Sequence, residues 1–298
     1  LRGDQETTQR PPVRLVTITG PGGCGKTRLA IQVARDLLDG YADGIWWVEL
    51  AALSEDSQVP QAVAKVLDVQ QGIQPSLTDV LITNLRTKQM LLVLDNCEHL
   101  VAACAELAER LLSQCPDLQI LTTSREAFGI FGEVNWLVPS LTLPGVERTD
   151  YTKPEQLAEL LQFEGIQLFV ERASAAQRTF SLMPANTPAL LQICQQLDGI
   201  PLAIELAAAR VKLMTVEQLA TRLMGALGAR FNLLTDGSRT ILPRQQTLRA
   251  TMAWSYALLN DQEQKLLQQL AIFAGGWTLE AAEATGALLT APQSVAGV

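Results

Sequence analysis

Residues 20–27 read GPGGCGKT, a GxxxxGK[ST] spacing that suits the handling of phosphate. Gly20, Gly22, Gly23 and Gly25 let successive backbone amides turn inward and form a concave nest for phosphate oxygens. Pro21 and Cys24 fill positions the pattern leaves open, and Cys24 is given no role beyond its size. A helix starting near Lys26 adds the partial positive charge of its N-terminus. Lys26 can reach the β and γ oxygens of a nucleotide tail, and Thr27 offers a hydroxyl to Mg2+. The alternative is a glycine-rich turn with a chance lysine. It is disfavoured by the apolar run VRLVTI directly before the motif and the helical pattern directly after it.

A second group of polar residues follows apolar runs further along. MLLVLD (90–95) breaks on Asp95, whose carboxylate can face Thr27 across a Mg2+ ion if its strand lies beside the first one. The lesser alternative is that Asp95 caps a helix beginning near Cys97, and the two roles are compatible. The next residue, where such proteins often place a second acid, is Asn96, which cannot accept a proton at neutral pH. Glu98 either orients water or is a first-turn acid favoured by the helix dipole. Arg125 follows LTTS and points toward a γ-phosphate if it sits at the carboxyl edge of a sheet; otherwise it is a solvated loop arginine. A general base contributes about 10²–10⁴ in rate, so Asn96 in the place of a second acid predicts slow hydrolysis of a phosphate bond rather than metabolic turnover.

These residues need a frame. VRLVTI (13–18), GIWWVEL (44–50), MLLVLD (90–95) and LQILTTS (118–124) read as strands buried on both faces, with NWLVPSL (135–141) a weaker fifth. Trp46 and Trp47 are expected in the core of a central strand. Helical three-four spacing lies between the strands, which predicts an α/β fold with an open parallel sheet. Ligands of such sheets sit at the carboxyl ends of the strands. After the turn-rich stretch 140–156 the patterns become helical: 157–176, 186–197, 201–213, 215–226, 245–259 and 261–273. The expected division is a linker over 1–12, a phosphate-binding α/β domain over 13–145, a helical domain over 146–235 and a third helical unit over 236–298. Trp254 and Trp277 are expected in the helical core.

Composition sets outer bounds. The 298 residues exceed what one core usually organises, and 48% hydrophobic content is ample for burial. A formal net charge of −8 disfavours a nucleic-acid footprint while leaving room for a local basic pocket. Five cysteines without CxxC spacing and a single histidine suit a reducing cytoplasm and argue against a soft-ligand metal site. No apolar run reaches membrane-spanning length, and the first residue, Leu1, suggests a piece of a longer chain.

The ordered series GPGGCGKTRLA, LLVLDNCEHL, ILTTSRE, QLFVERA, LDGIPLAIELAAAR and RQQTLRATMAWSYALL resembles one family, from about residue 13 to 285. It is similar to the bacterial branch of the signal-transduction ATPases with numerous domains, as found in LuxR- and AfsR-like regulators. These are relatives of the NB-ARC modules of plant disease-resistance proteins. The resemblance implies a P-loop domain, a small helical domain and a winged-helix domain, the last expected over 236–298 in truncated form. It implies that ADP bridges the domains in a closed resting state and that ATP favours an open, self-assembling homo-oligomer. By the resemblance, residues 20–27 form the phosphate loop with Arg28 at its exit, Asp95 is the Mg2+ acid and Arg125 the γ-phosphate sensor. Pro201 of the GIP turn (199–201) would touch the adenine side. The implied partners are an adenine nucleotide and effector and sensor domains outside this chain.

Three features depart from the family pattern. LRGDQETTQRPP supplies no clear apolar-Gly-Arg-Glu clamp for the base, the third unit holds no histidine latch, and Asn96 replaces the second acid. Two rival functions remain. A small-molecule kinase would share the loop but needs an acceptor lid, whereas FEGIQLFVERASAAQR reads as an amphipathic helix. A DNA-binding transcriptional regulator would act through the winged-helix unit, where around RQQTLRATMAWSYALL only Arg244, Arg249 and Lys265 supply positive charge.

Overall fold

The computed structural model describes residues 13–70, 76–145, 154–224, 256, 259–273 and 277–290. A five-stranded parallel sheet is built from β1 (Leu15–Thr19), β2 (Ile45–Glu49), β3 (Leu91–Asp95), β4 (Gln119–Thr123) and β5 (Glu133–Leu137). Around it lie α1 (Lys26–Asp36), α2 (Gln58–Val66), α3 (Leu77–Leu85) and α4 (Val101–Gln114). All five residues of β3 are buried. Their alternation shows why a continuous apolar run is needed there. Leu92 and Leu94 join the core formed with Val63 of α2, Leu81 of α3 and Leu107 of α4, while Leu91 and Val93 join the opposite core with Ala30 of α1. With both faces covered, polar alternation would bury unpaired groups.

The strand order is β2-β3-β4-β1-β5. The expectation that the strand ending in Asp95 lies beside the first one is therefore corrected: β4 is inserted between β1 and β3. The consequence for the site is favourable. The carboxyl ends of β1, β4 and β3 lie side by side, so the loops opening at Gly20, Ser124 and Asn96 converge on one edge. A second correction concerns β2, which is an edge strand, with Trp46 38% exposed rather than in a central core. Its indole Nε1 instead donates to the Asp43 carbonyl at 2.9 Å.

Beyond the sheet come α5 (Pro154–Leu160), α6 (Glu164–Ala176), α7 (Thr187–Gln196), α8 (Pro201–Ala208) with a 3-10 turn over Ala209–Lys212, and α9 (Val216–Met224). The single pattern read over 157–176 is two helices, because the Glu164 carboxylate accepts from Thr142 N and Thr142 Oγ1 and so anchors a fresh helix start. Phe169, Leu190, Cys194, Ile204 and Leu219 share a core of their own, separate from the two flanking the sheet. Among the described residues of 236–298 are α10 (Asp261–Leu270) and α11 (Leu279–Thr290). Asn260 and Glu263 close a reciprocal capping box at the start of α10. Trp277 is 46% exposed, contrary to the core position expected of it, and Trp254 lies outside the described residues. The two helices do not by themselves make a winged helix; the rest of that expectation falls largely outside the described residues.

Candidate functional site

The loop between β1 and α1 carries its own requirement for glycine. Gly23 has φ +83, and a Cβ there would stand 2.8 Å from Leu202 Cβ, so a side chain would strain the backbone and push α8 away. Helix α1 has Gly25 as its N-cap, with no side-chain cap and no acid in its first turn. Its first amides are thus left to an exogenous acceptor or solvent, the arrangement an anion exploits.

Lys26 is buried, and its Nζ donates to the carbonyls of Gly20 at 2.7 Å and Pro21 at 3.1 Å. The ammonium is thereby stored over the loop. Burial holds its pKa below the ordinary lysine value; Glu98 and Asp95 oppose that shift and Arg125 reinforces it. These four charges therefore belong to one cluster.

Thr27 Oγ1 donates to Asp95 Oδ1 at 2.9 Å, and Thr123 Oγ1 donates to the same oxygen at 2.6 Å. Thr123 in turn accepts from the Asn96 amide at 2.8 Å, and its carbonyl accepts from Cys97 N at 2.9 Å. The chain after Asp95 is thus stitched to β4, with Asn96 at φ 68, a left-handed conformation that asparagine tolerates better than most residues. Helix α4 starts only at Val101 and its N-cap is Leu100. Asp95 is therefore not the helix cap, and Glu98 lies in the turn before the helix rather than in its first turn. The sequence reading passed over Thr123. Its signal was the polar pair closing an otherwise apolar strand in QILTT.

Arg125 is not a solvated loop residue. Its Nε stands 3.5 Å from Glu98 Oε1, with side chains 18% and 7% exposed. Arg28 points the other way, pairing at 3.0 Å with Glu205 of α8, which also receives Arg172 Nε of α6 at 3.0 Å. Pro201 opens α8, and the next amide, Leu202 N, donates to the Gly23 carbonyl at 3.2 Å. The structure therefore gathers Gly20, Pro21, Gly22, Gly23, Cys24, Gly25, Lys26, Thr27, Asp95, Glu98 and Arg125 at one sheet edge, and places Arg28 and Pro201 where α8 meets it. Residues 1–12, where a base clamp was sought, lie outside the described residues.

The arrangement fits a polyphosphate and a divalent ion. A stored ammonium, uncapped amides and a hydroxyl-carboxylate pair face the same edge. Among the described residues no three acidic, histidine or cysteine ligands cluster, so a bound ion here would complete its shell with phosphate and water oxygens, as Mg2+ prefers. No helix among the described residues is long and apolar enough to cross a membrane.

Comparison with known proteins agrees with the loop chemistry. Residues 5–128 match the NB-ARC domain family model. A Mycobacterium tuberculosis protein provisionally named an HTH-type transcriptional regulator is 43% identical over 92% of this chain. A second protein of that organism, named only as uncharacterized, is 39% identical over 92% of the chain. The chain spans 28% of the length of the first relative and 64% of the second. Among solved structures, a signal-transduction ATPase with a tetratricopeptide repeat sensor from Pyrococcus horikoshii aligns over 90% of this chain and 34% of its own, at 14% identity and TM-score 0.40. Cdc6p from Pyrobaculum aerophilum aligns over 92% of this chain and 73% of its own, at 15% identity and TM-score 0.46. The phosphate-type loop at the head of the parallel sheet falls inside the segment, residues 5–128, that matches the NB-ARC domain family model.

Proposed function

We propose that this chain is a nucleotide-operated switch that binds ADP or ATP with Mg2+, hydrolyses ATP slowly, and couples the nucleotide to domain opening and self-assembly. One observation carries the reading. The Gly23 carbonyl, in the middle of the loop, accepts from Leu202 N of α8, so a change in the loop backbone is passed directly to the helical unit. Arg28, one residue beyond Thr27, adds the ion pair to Glu205.

In this reading Lys26 leaves the Gly20 and Pro21 carbonyls for phosphate oxygens, and the loop amides hold the remaining charge. Thr27 and Asp95 would hold the Mg2+, which when bound neutralises charge on the phosphates. Arg125 distinguishes a third phosphate from its absence. Asn96, where a second acid would stand, offers no base, which supports slow turnover. Effector and sensor segments outside this chain, and further copies of it in the ATP state, are the proposed partners. A DNA-binding output is the second reading, favoured by the name of the 43% identical relative. Salt-dependent binding of duplex DNA by this chain would support it.

The direct test is to identify the nucleotide that copurifies with the chain and to titrate the emptied chain by calorimetry with Mg2+. Retained ADP, or heat from either adenine nucleotide, supports the reading; neither would refute it. Arg125→Ala is expected to narrow the preference between ATP and ADP by roughly 10- to 150-fold, the worth of a charge-assisted hydrogen bond. Equal losses for both nucleotides would remove the sensor role. Thr123→Val should lower Mg2+ affinity of the nucleotide complex roughly 10- to 100-fold by releasing the Asp95 carboxylate, with Thr123→Ser retaining it. A Mg2+ titration identical to wild type would show that Thr123 only packs.

A further inference from the structure

Glu98 and Arg125 come from the ends of neighbouring strands and meet in a mostly enclosed space. Their geometry is that of a loose pair. The Nε to Oε1 separation is 3.5 Å, longer than the roughly 2.7–2.9 Å of a charge-assisted hydrogen bond. The other carboxylate oxygen, Glu98 Oε2, is buried and makes no hydrogen bond. A carboxylate held this way has given up water for incomplete compensation, so its hold on the guanidinium is weaker than the charges alone suggest. A terminal phosphate offers three acceptor oxygens and more negative charge. Both Glu98 and Arg125 act electrostatically on Lys26, so the pair borders the phosphate cradle rather than some remote surface.

We infer that Glu98 is a surrogate anion: it occupies Arg125 while no terminal phosphate is present, and the γ-phosphate of ATP must displace it to recruit the guanidinium. The inference rests on the nucleotide reading above and deepens it. ADP, lacking that phosphate, leaves the pair intact. ATP gains its contact with Arg125 only after the loss of the contact with Glu98, so Glu98 lowers the preference for ATP and sets the threshold at which the switch responds. Glu98 is in this sense a positioning residue whose effect acts through Arg125.

The test is a cycle of Glu98→Gln, Arg125→Ala and the double variant in this chain. Each is titrated by calorimetry with ADP and with a non-hydrolysable ATP analogue in the presence of Mg2+. Glu98→Gln keeps the side-chain shape and is expected to raise the ratio of analogue to ADP affinity by about fivefold or more. In the Arg125→Ala background the same substitution should leave the ratio where Arg125→Ala alone put it. A ratio unchanged or lowered by Glu98→Gln in the otherwise wild-type chain would overturn the competition. So would an equal gain in both backgrounds, because that would be simple relief of repulsion between two anions. A wild-type chain that binds neither nucleotide would overturn the underlying switch reading. A wild-type chain that distinguishes the two, with no gain in Glu98→Gln, would sink the surrogate alone.

Discussion

Lys26→Ala is expected to weaken binding of ADP and ATP alike by about 100-fold or more. Each hydrogen bond to a charged group is worth about 1.5–3 kcal/mol, and a lysine at this place can serve more than one phosphate oxygen. The variant also empties the position over the Gly20 and Pro21 carbonyls, of which Gly20 is buried and Pro21 exposed, but both hydrogen bonds lie in the loop after β1 rather than in the strand ladder. The folded sheet should therefore survive, which the melting temperature checks, and affinity by calorimetry reads the phosphate contribution. Affinities equal to those of the wild type would remove the phosphate role of the loop. The pH dependence has a defined sign. Burial lowers the pKa of Lys26, so its ammonium form is lost on raising the pH sooner than for an ordinary lysine. Phosphates favour that ammonium, so nucleotide affinity should fall as pH rises through the lowered pKa, with proton uptake on binding in that range. Lys26→Ala should abolish both effects.

What the sequence disclosed about this site follows from how local each requirement is. GPGGCGKT was legible because nest, helix start and lysine reach are all set within eight consecutive residues. Asp95 was legible as the abrupt end of an apolar run. Its neighbours were not, because the insertion of β4 between β1 and β3 depends on which side each crossover takes, and that leaves no mark on any single strand. Thr123 becomes visible only once that insertion brings it within 2.6 Å of Asp95. The first-turn alternative for Glu98 fails because the left-handed turn at Asn96, which has no compelling signature in DNCEH, delays the helix to Val101. Trp46 and Trp47 gave β2 the look of a central strand, yet an edge strand half covered by its neighbours accepts the same residues. The pairing of Glu205 with Arg28 leaves no local mark, since the two lie 177 residues apart in sequence.

The turn at Gly199 shows the same limit and carries the largest expected cost in stability. Read locally, it is only the end of one helix and the start of another. In the structure Gly199 has φ +66 and follows Asp198 at φ 52, so the chain reverses through two left-handed residues between α7 and α8. Its carbonyl accepts from Leu141 N at 3.0 Å, tying α8 to the segment that leaves β5. A Cβ at 199 would stand 2.4 Å from the Leu141 carbonyl oxygen and 3.3 Å from Leu141 N. These are backbone atoms that cannot rotate aside, so Gly199→Ala must displace one of two packed segments. The left-handed penalty of about 1 kcal/mol adds to the steric term, for a total loss of about 3 kcal/mol. Gly132→Ala separates the two contributions, since Gly132 has φ +81 but nothing within 4 Å of its would-be Cβ. It should lose only the conformational part. Urea unfolding of the two variants therefore ought to show Gly199→Ala as much the less stable, and equal losses would mean that the contact with Leu141 relaxes without cost. Because Pro201 and Leu202 follow directly, and Leu202 N holds the Gly23 carbonyl, the same displacement should loosen α8 from the phosphate loop. Under the switch reading, Gly199→Ala should then weaken nucleotide retention beyond what its stability loss alone explains, whereas Gly132→Ala should not.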